Sequence, residues 1–135
     1  MSKVIPVLGY EHTGIFFKNT ENMAEWYCDN FGAKEVSRSD SKNPIIFISF
    51  GNSSLLELVP ANDSPNSEPD DHCHFSLAVK NLESAIKGLE SIGIQLDKPV
   101  FKAYDGSPVA FFRDPEGNLI QLVERISNLP LPYIK

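Results

Sequence analysis

The sequence predicts an α+β protein made of two tandem strand-helix-strand-strand-strand (βαβββ) modules, and three observations lead there. The run His12-Thr13-Gly14-Ile15-Phe16-Phe17-Lys18-Asn19 is answered 62 positions later by His74-Phe75-Ser76-Leu77-Ala78-Val79-Lys80-Asn81. Ser54-Leu55-Leu56-Glu57-Leu58-Val59 is answered 64 positions later by Asn118-Leu119-Ile120-Gln121-Leu122-Val123. Within each half the apolar spacing passes from strand to helix at the shared Lys-Asn and then returns to short strand-like runs.

Each element follows from local chemistry. Asn19 and Asn81 are good helix N-caps, and Glu21 and Glu83, two positions on, favour the positive end of a helix. Met23, Trp26, Tyr27 and Phe31 form one apolar stripe, and Leu82, Ala85, Ile86, Leu89 and Ile92 form the other. Gly32 and Gly93 are expected to end the two helices. Strands are expected over Glu35–Arg38, Ile45–Phe50 and Ser54–Val59 in the first half, with Gly51-Asn52-Ser53 as a hairpin turn. The second half offers Gln95–Lys102, Val109–Arg113 and Asn118–Arg125, with Asp114-Pro115-Glu116-Gly117 turning the last pair. Pro60–Asp71, rich in proline and acid, reads as the solvated connection, and the tail after Ile126 as an extended segment packing on a neighbour. Module one therefore covers about 9–60 and module two about 72–126, within a single domain, 1–135.

A chain of 135 residues can bury a core without disulfide or metal staples, and an apolar share of 41% excludes disorder. The net charge of −6 leaves no basic face for a phosphate backbone, so nucleic acid is not an expected partner. The short mixed stretch Val4–Leu8 is no secretion signal, and no run is long enough for a membrane span. Cys28 and Cys73 make no framework or metal-type spacing, so a reducing cytoplasm is expected, with no membrane partner. Dinucleotide and phosphate loops and the nucleophile elbow are absent.

One histidine on a strand is commonly structural, but His12 and His74 open the first strands of the two copies at one register. Each copy also ends with a polar residue among aliphatic ones, Glu57 or Gln121. Alternation sets Leu55, Glu57 and Val59 opposite Leu56 and Leu58, and Leu119, Gln121 and Val123 opposite Ile120 and Leu122. A carboxylate in such a strand is costly unless a cation compensates it. Two imidazoles, one carboxylate and one amide oxygen related by a pseudo-twofold axis suit one divalent ion, Zn, Ni, Co, Mn or Fe. The alternative is that Glu57 and Gln121 tie neighbouring strands while the histidines are hydrogen-bonded in a solvated cleft. His72 sits at the end of the connection, Glu124 has the wrong parity to join Gln121, and Cys73 points away from His74. Cys28, beside Trp26 and Tyr27, reads as packing.

Two pieces, His12-x-Gly14 leading into a helix with Trp26-Tyr27 and Phe31-Gly32, and Phe112-Arg113-Asp114-Pro115-Glu116-Gly117-Asn118-Leu119-Ile120-Gln121-Leu122, resemble the vicinal oxygen chelate superfamily. That superfamily includes glyoxalase I, methylmalonyl-CoA epimerase, extradiol dioxygenases, fosfomycin-resistance enzymes and bleomycin-binding proteins, and the resemblance runs from Tyr10 to Arg125. It implies a curled mixed sheet around a metal-binding cleft, with His12, Glu57, His74 and Gln121 as the ligands. Where bacterial glyoxalase I and the dioxygenases usually carry a second-module glutamate, this chain carries Gln121, which takes no proton at neutral pH. Glu57 is then the expected catalytic base. The function so implied is a glyoxalase-like lyase or isomerase that chelates a small oxygen-rich metabolite and transfers a proton. A drug-binding protein without chemistry, using Phe16, Phe47, Tyr104 and Phe111 as pocket lining, and an Fe(II) extradiol-type dioxygenase using His12, His74 and Glu57 are the alternatives. A homodimer is expected, since half-open sheets expose an edge that a second chain covers.

Overall fold

A computed structural model describes residues 4–8, 10–51, 54–62, 69, 72–127 and 129. Two units make up the chain, Met1–Ser67 and Glu68–Lys135. The first contains β1 (Thr13–Phe17), α1 (Thr20–Phe31), β2 (Lys34–Arg38), β3 (Ile46–Ser49) and β4 (Leu55–Pro60). The Asn19 side chain accepts from the Asn22 N–H at 2.9 Å, capping α1 at the expected residue. Gly32, in the left-handed region at φ +70°, ends the helix by donating to Cys28 O. The first amide of α1 is held from the sheet side: Thr20 N donates to Asn43 Oδ1 at 3.2 Å, and Asn43 Nδ2 donates back to Lys18 O.

The sheet order is β1-β4-β3-β2, with β1 parallel to β4 and the other pairs antiparallel. Because side chains alternate across a strand, Leu56, Leu58, Ile46, Ile48 and Phe17 go to one face and are buried. Helix α1 packs on β3 and β4 through Met23, Ala24 and Tyr27. Tyr27, fully buried, meets Phe17 and Phe50 edge-on at 6.4 and 6.0 Å. Burial of each such large side chain stabilises the unit by about 1.5–3 kcal/mol. Arg38 binds Glu35 at 2.7 Å and Glu21 at 2.6 Å, clasping β2 to the first turn of α1.

The second unit repeats the plan with β5 (Phe75–Ala78), α2 (Leu82–Ser91), β6 (Phe101–Lys102), β7 (Pro108–Arg113) and β8 (Leu119–Val123), in the order β5-β8-β7-β6. Asn81 caps α2 by accepting from Ser84 N at 2.8 Å. The first amide of α2 likewise goes to a side chain next to a strand, here Glu124 Oε1, just after the last strand, at 2.8 Å. The turn between β7 and β8 is built on Asp114, whose Oδ1 accepts from Glu116 N and Asn118 N, with Gly117 at φ +89°. Each unit is thus an open four-stranded mixed sheet with one helix, the α+β architecture of a βαβββ module.

Three expectations change. The strand over Gln95–Lys102 shrinks to β6 and an isolated Leu96–Phe112 bridge, because Pro99 has no N–H to give to a ladder. Ile92 lies beyond α2 as its C-cap and is 39% exposed, so it leaves the apolar stripe, and Gly93 at φ +80° follows it. Pro60 ends β4, and Ala61 is buried with its N–H on Phe17 O, so these two belong to the sheet and not to the connection. Residues 63–68, 70 and 71 of that connection, Asn52-Ser53 of the first hairpin, and 128 and 130–135 of the tail lie outside the described residues.

A candidate metal and acid–base site

In the first unit the register Gly14↔Glu57↔Phe47 puts these three residues on the face opposite α1, and His12 shares their parity. His12 Nε2 lies 3.2 Å from Glu57 Oε1, and the imidazole meets the Phe47 ring edge-on at 5.3 Å. The other ring nitrogen, Nδ1, lies 2.9 Å from Glu11 Oε1. That carboxylate orients the ring and leaves Nε2 to face Glu57. The hydrogen bond to Glu11 and then the charge of Glu57 raise the His12 pKa above its ordinary value, against an opposing contribution from burial. The side chains are partly open, 31% exposed for His12 and 21% for Glu57, so a small molecule can reach them.

Gly14 leaves room beside that contact. A Cβ at position 14 would sit 3.1 Å from Glu57 Oε1, inside ordinary packing distance. The strand next to Glu57 therefore carries no side chain where the carboxylate lies.

The second unit places the equivalent residues alike but binds them differently. Ser76↔Gln121↔Phe111 are in register, and His74 meets the Phe111 ring edge-on at 4.9 Å. Where the first unit has Gly14, the second has Ser76, whose hydroxyl donates to Gln121 Oε1. An amide in this place accepts no proton at neutral pH.

Glu11, the orienting role of Ser76 and the space left by Gly14 were not anticipated. Glu11 had a signal, a carboxylate next in sequence to a candidate ligand. Of the aromatic candidates, Phe47 and Phe111 lie against the histidines, Phe16 has the parity of Glu57 and is 41% exposed, and Tyr104 is 91% exposed. Glu124 serves the α2 amide, and burial raises the thiol pKa of Cys28.

Among the described residues no group of three or more His, Cys, Asp or Glu is gathered for a metal. The donors within the first unit do fit one: two donor atoms on a single ion at roughly 2.0–2.2 Å stand about as far apart as His12 Nε2 and Glu57 Oε1 do. A carboxylate holding the far nitrogen of a histidine is also the usual support of a metal-binding imidazole.

The family model described as glyoxalase/bleomycin resistance protein/dioxygenase superfamily matches residues 9–122. No curated protein matches the chain. Among solved structures, a glyoxalase family protein from Enterococcus faecalis is 22% identical with a TM-score of 0.71, over 87% of this chain and 98% of its own. Lactoylglutathione lyase from Agrobacterium tumefaciens is 18% identical with a TM-score of 0.68, over 89% and 96%. The fosfomycin resistance protein FosX from Listeria monocytogenes, a glutamate-to-glutamine mutant complexed with Mn(II) and 1S,2S-dihydroxypropylphosphonic acid, is 16% identical with a TM-score of 0.68, over 90% and 93%. At these identities the likeness is one of fold, and it agrees with the two modules and with the matched span: the chain belongs to the glyoxalase/bleomycin resistance protein/dioxygenase superfamily.

Proposed function

We propose that the chain is a metal-dependent lyase or isomerase of the glyoxalase type, acting on a small oxygen-rich metabolite. One divalent ion, Zn, Ni, Co, Mn or Fe, would be held by His12 and Glu57 of module one and His74 and Gln121 of module two. The observation that carries this reading is the 3.2 Å approach of His12 Nε2 to Glu57 Oε1, with Nδ1 tied to Glu11. When bound, the ion supplies Lewis-acid polarisation of neighbouring substrate oxygens.

The chain's own residues do the rest. Glu57 is the one carboxylate of the four, so it takes the proton from the substrate carbon and returns it. Gly14 leaves its Oε1 uncrowded, Glu11 holds the His12 ring, and Ser76 fixes Gln121. Phe47 and Phe111 give the histidines apolar walls. The similar folds of a lactoylglutathione lyase and of Mn(II)-bound FosX support the class. A homodimer belongs to the same proposal: β2 is a sheet edge exposed along all five of its residues, and sedimentation showing only monomer at micromolar concentration would count against it.

The test is elemental analysis of protein purified without chelator and then reconstituted. One ion per chain is expected for the wild type, and none for His12→Ala or His74→Ala at unchanged circular dichroism. Folded wild type that never holds stoichiometric metal would leave only a drug-binding role. Metal-dependent oxygen uptake would instead identify an Fe(II) dioxygenase.

A further inference from the structure

The aromatic residue against His74 also carries a cation that pairs with no acid among the described residues. Lys98 Nζ lies 4.7 Å from the centroid of the Phe101 ring and 4.9 Å from that of Phe111. The two rings are stacked at 5.9 Å with their planes 14° apart, and His74 meets Phe111 on its edge at 4.9 Å. The Lys98 ammonium and the His74 ring are therefore within about 10 Å of each other.

The backbone fixes this placement from both sides. Leu96 bridges to Phe112, Asp97 N–H donates to Phe111 O at 2.7 Å, and Phe101 begins β6 against Val109. Asp97, the nearest acid in sequence, lies 3.4 Å from Arg113 Nε. Lys98 makes no ion pair among the described residues. Ring faces attract an ammonium but give its three N–H groups no lone-pair acceptor. An ammonium lying over two rings, with no ion pair among the described residues and a candidate ligand one ring away, has N–H donors to offer an anion.

We propose that Lys98 receives an anionic end of the substrate, a carboxylate or a phosphonate, while the substrate's neighbouring oxygens lie at the His74 side. The inference rests on the proposed function for the second half of that statement and narrows the substrate class to short acids charged at the end remote from the reacting oxygens. Lys98 then determines specificity, and Phe101 and Phe111 position it.

Two probes that differ only in the remote charge test this: 2-oxoglutarate and its 5-monoamide, titrated by calorimetry into metal-loaded protein. Wild type is expected to bind the dianion about tenfold or more tightly than the amide. Lys98→Gln should abolish that preference, and Lys98→Arg should keep most of it. Equal weakening of both probes in Lys98→Gln, or an unchanged preference, would overturn the proposal. A second measurement uses chelator-treated protein and follows the amide resonances of residues 98 and 101 during addition of acetate or methylphosphonate. Saturable shifts are expected in the wild type and not in Lys98→Gln, and the tighter of the two probes tells carboxylate from phosphonate. Their absence from a protein that holds stoichiometric metal sinks the Lys98 site alone, whereas their presence in one that never holds metal sinks the proposed function alone.

Discussion

Gly14 and Glu57 face each other in register on adjacent parallel strands, and the absence of a Cβ on Gly14 is what leaves Glu57 Oε1 its place beside His12. Gly14 is not among the residues with positive φ, so alanine can take its backbone conformation. Gly14→Ala is therefore expected to fold with stability changed by less than about 1 kcal/mol. Its cost should fall on the carboxylate, which must give by a few tenths of an ångström to the new methyl group and so shift against His12. Metal affinity, measured by competition with a coloured chelator, should drop by roughly 10–100-fold, as for other changes to the supports of a ligand. Unaltered affinity would mean that Glu57 has room to spare.

Glu57 and Gln121 occupy equivalent positions with unequal chemistry, and exchanging that chemistry separates charge from proton transfer. Glu57→Gln keeps an oxygen donor, so metal should bind more weakly but still bind, while turnover should fall by roughly a hundredfold to ten-thousandfold for loss of a general base. Gln121→Glu adds a second carboxylate and should raise metal affinity, with turnover kept or improved. Kinetics at matched metal occupancy decide the matter, and full turnover by Glu57→Gln would remove Glu57 as the base.

Tyr27 is fully buried, with Phe17, Trp26, Phe31 and Phe50 around its ring. Tyr27→Ala should cost about 3–5 kcal/mol, the usual loss when a large aromatic core residue is cut to alanine. Urea unfolding should show a lower midpoint. A loss below about 1 kcal/mol would mean that the core refills the space.

Asp105 stabilises the hairpin before β7 in its ionised form. Its carboxyl is held well below the usual carboxylate range by the nearby Ser127 hydroxyl, the Ser107 N–H and the Arg125 guanidinium. Ser127 Oγ makes no hydrogen bond of normal geometry among the described residues, so the firm contacts are Ser107 N at 2.9 Å and Arg125 Nη1 at 3.1 Å. A depressed carboxyl contributes stability that is complete above its unfolded pKa, near 3.9, and is lost as pH falls towards the folded one. Asp105→Asn should accordingly lower stability at neutral pH and flatten its decline below about pH 4. Parallel acid-unfolding curves for the two proteins would show that Asp105 does not feel its neighbours.

By itself the sequence determined what lies within a few residues or repeats along the chain. Asn19 and Asn81 cap helices because a short polar side chain reaches its own backbone three residues on. The buried Leu56, Leu58, Ile120 and Leu122 follow from strand alternation, and the equivalence of His12 with His74 and of Glu57 with Gln121 follows from the repeat. The place of Pro99 in the expected sixth strand was equally local, and its missing N–H shortened the ladder as proline chemistry requires. Tertiary structure decided the contacts between residues far apart in the chain. Gly14 gives room to Glu57, and Ser76 holds Gln121, because β1 lies beside β4 and β5 beside β8. Lys98 stands over Phe101 and Phe111 because the Leu96 bridge and β6 bring that segment against β7. The physical reason is range: caps and periods are set by the local backbone, whereas the neighbour of a strand, and thus what meets a side chain on its face, is chosen by the free energy of the whole sheet.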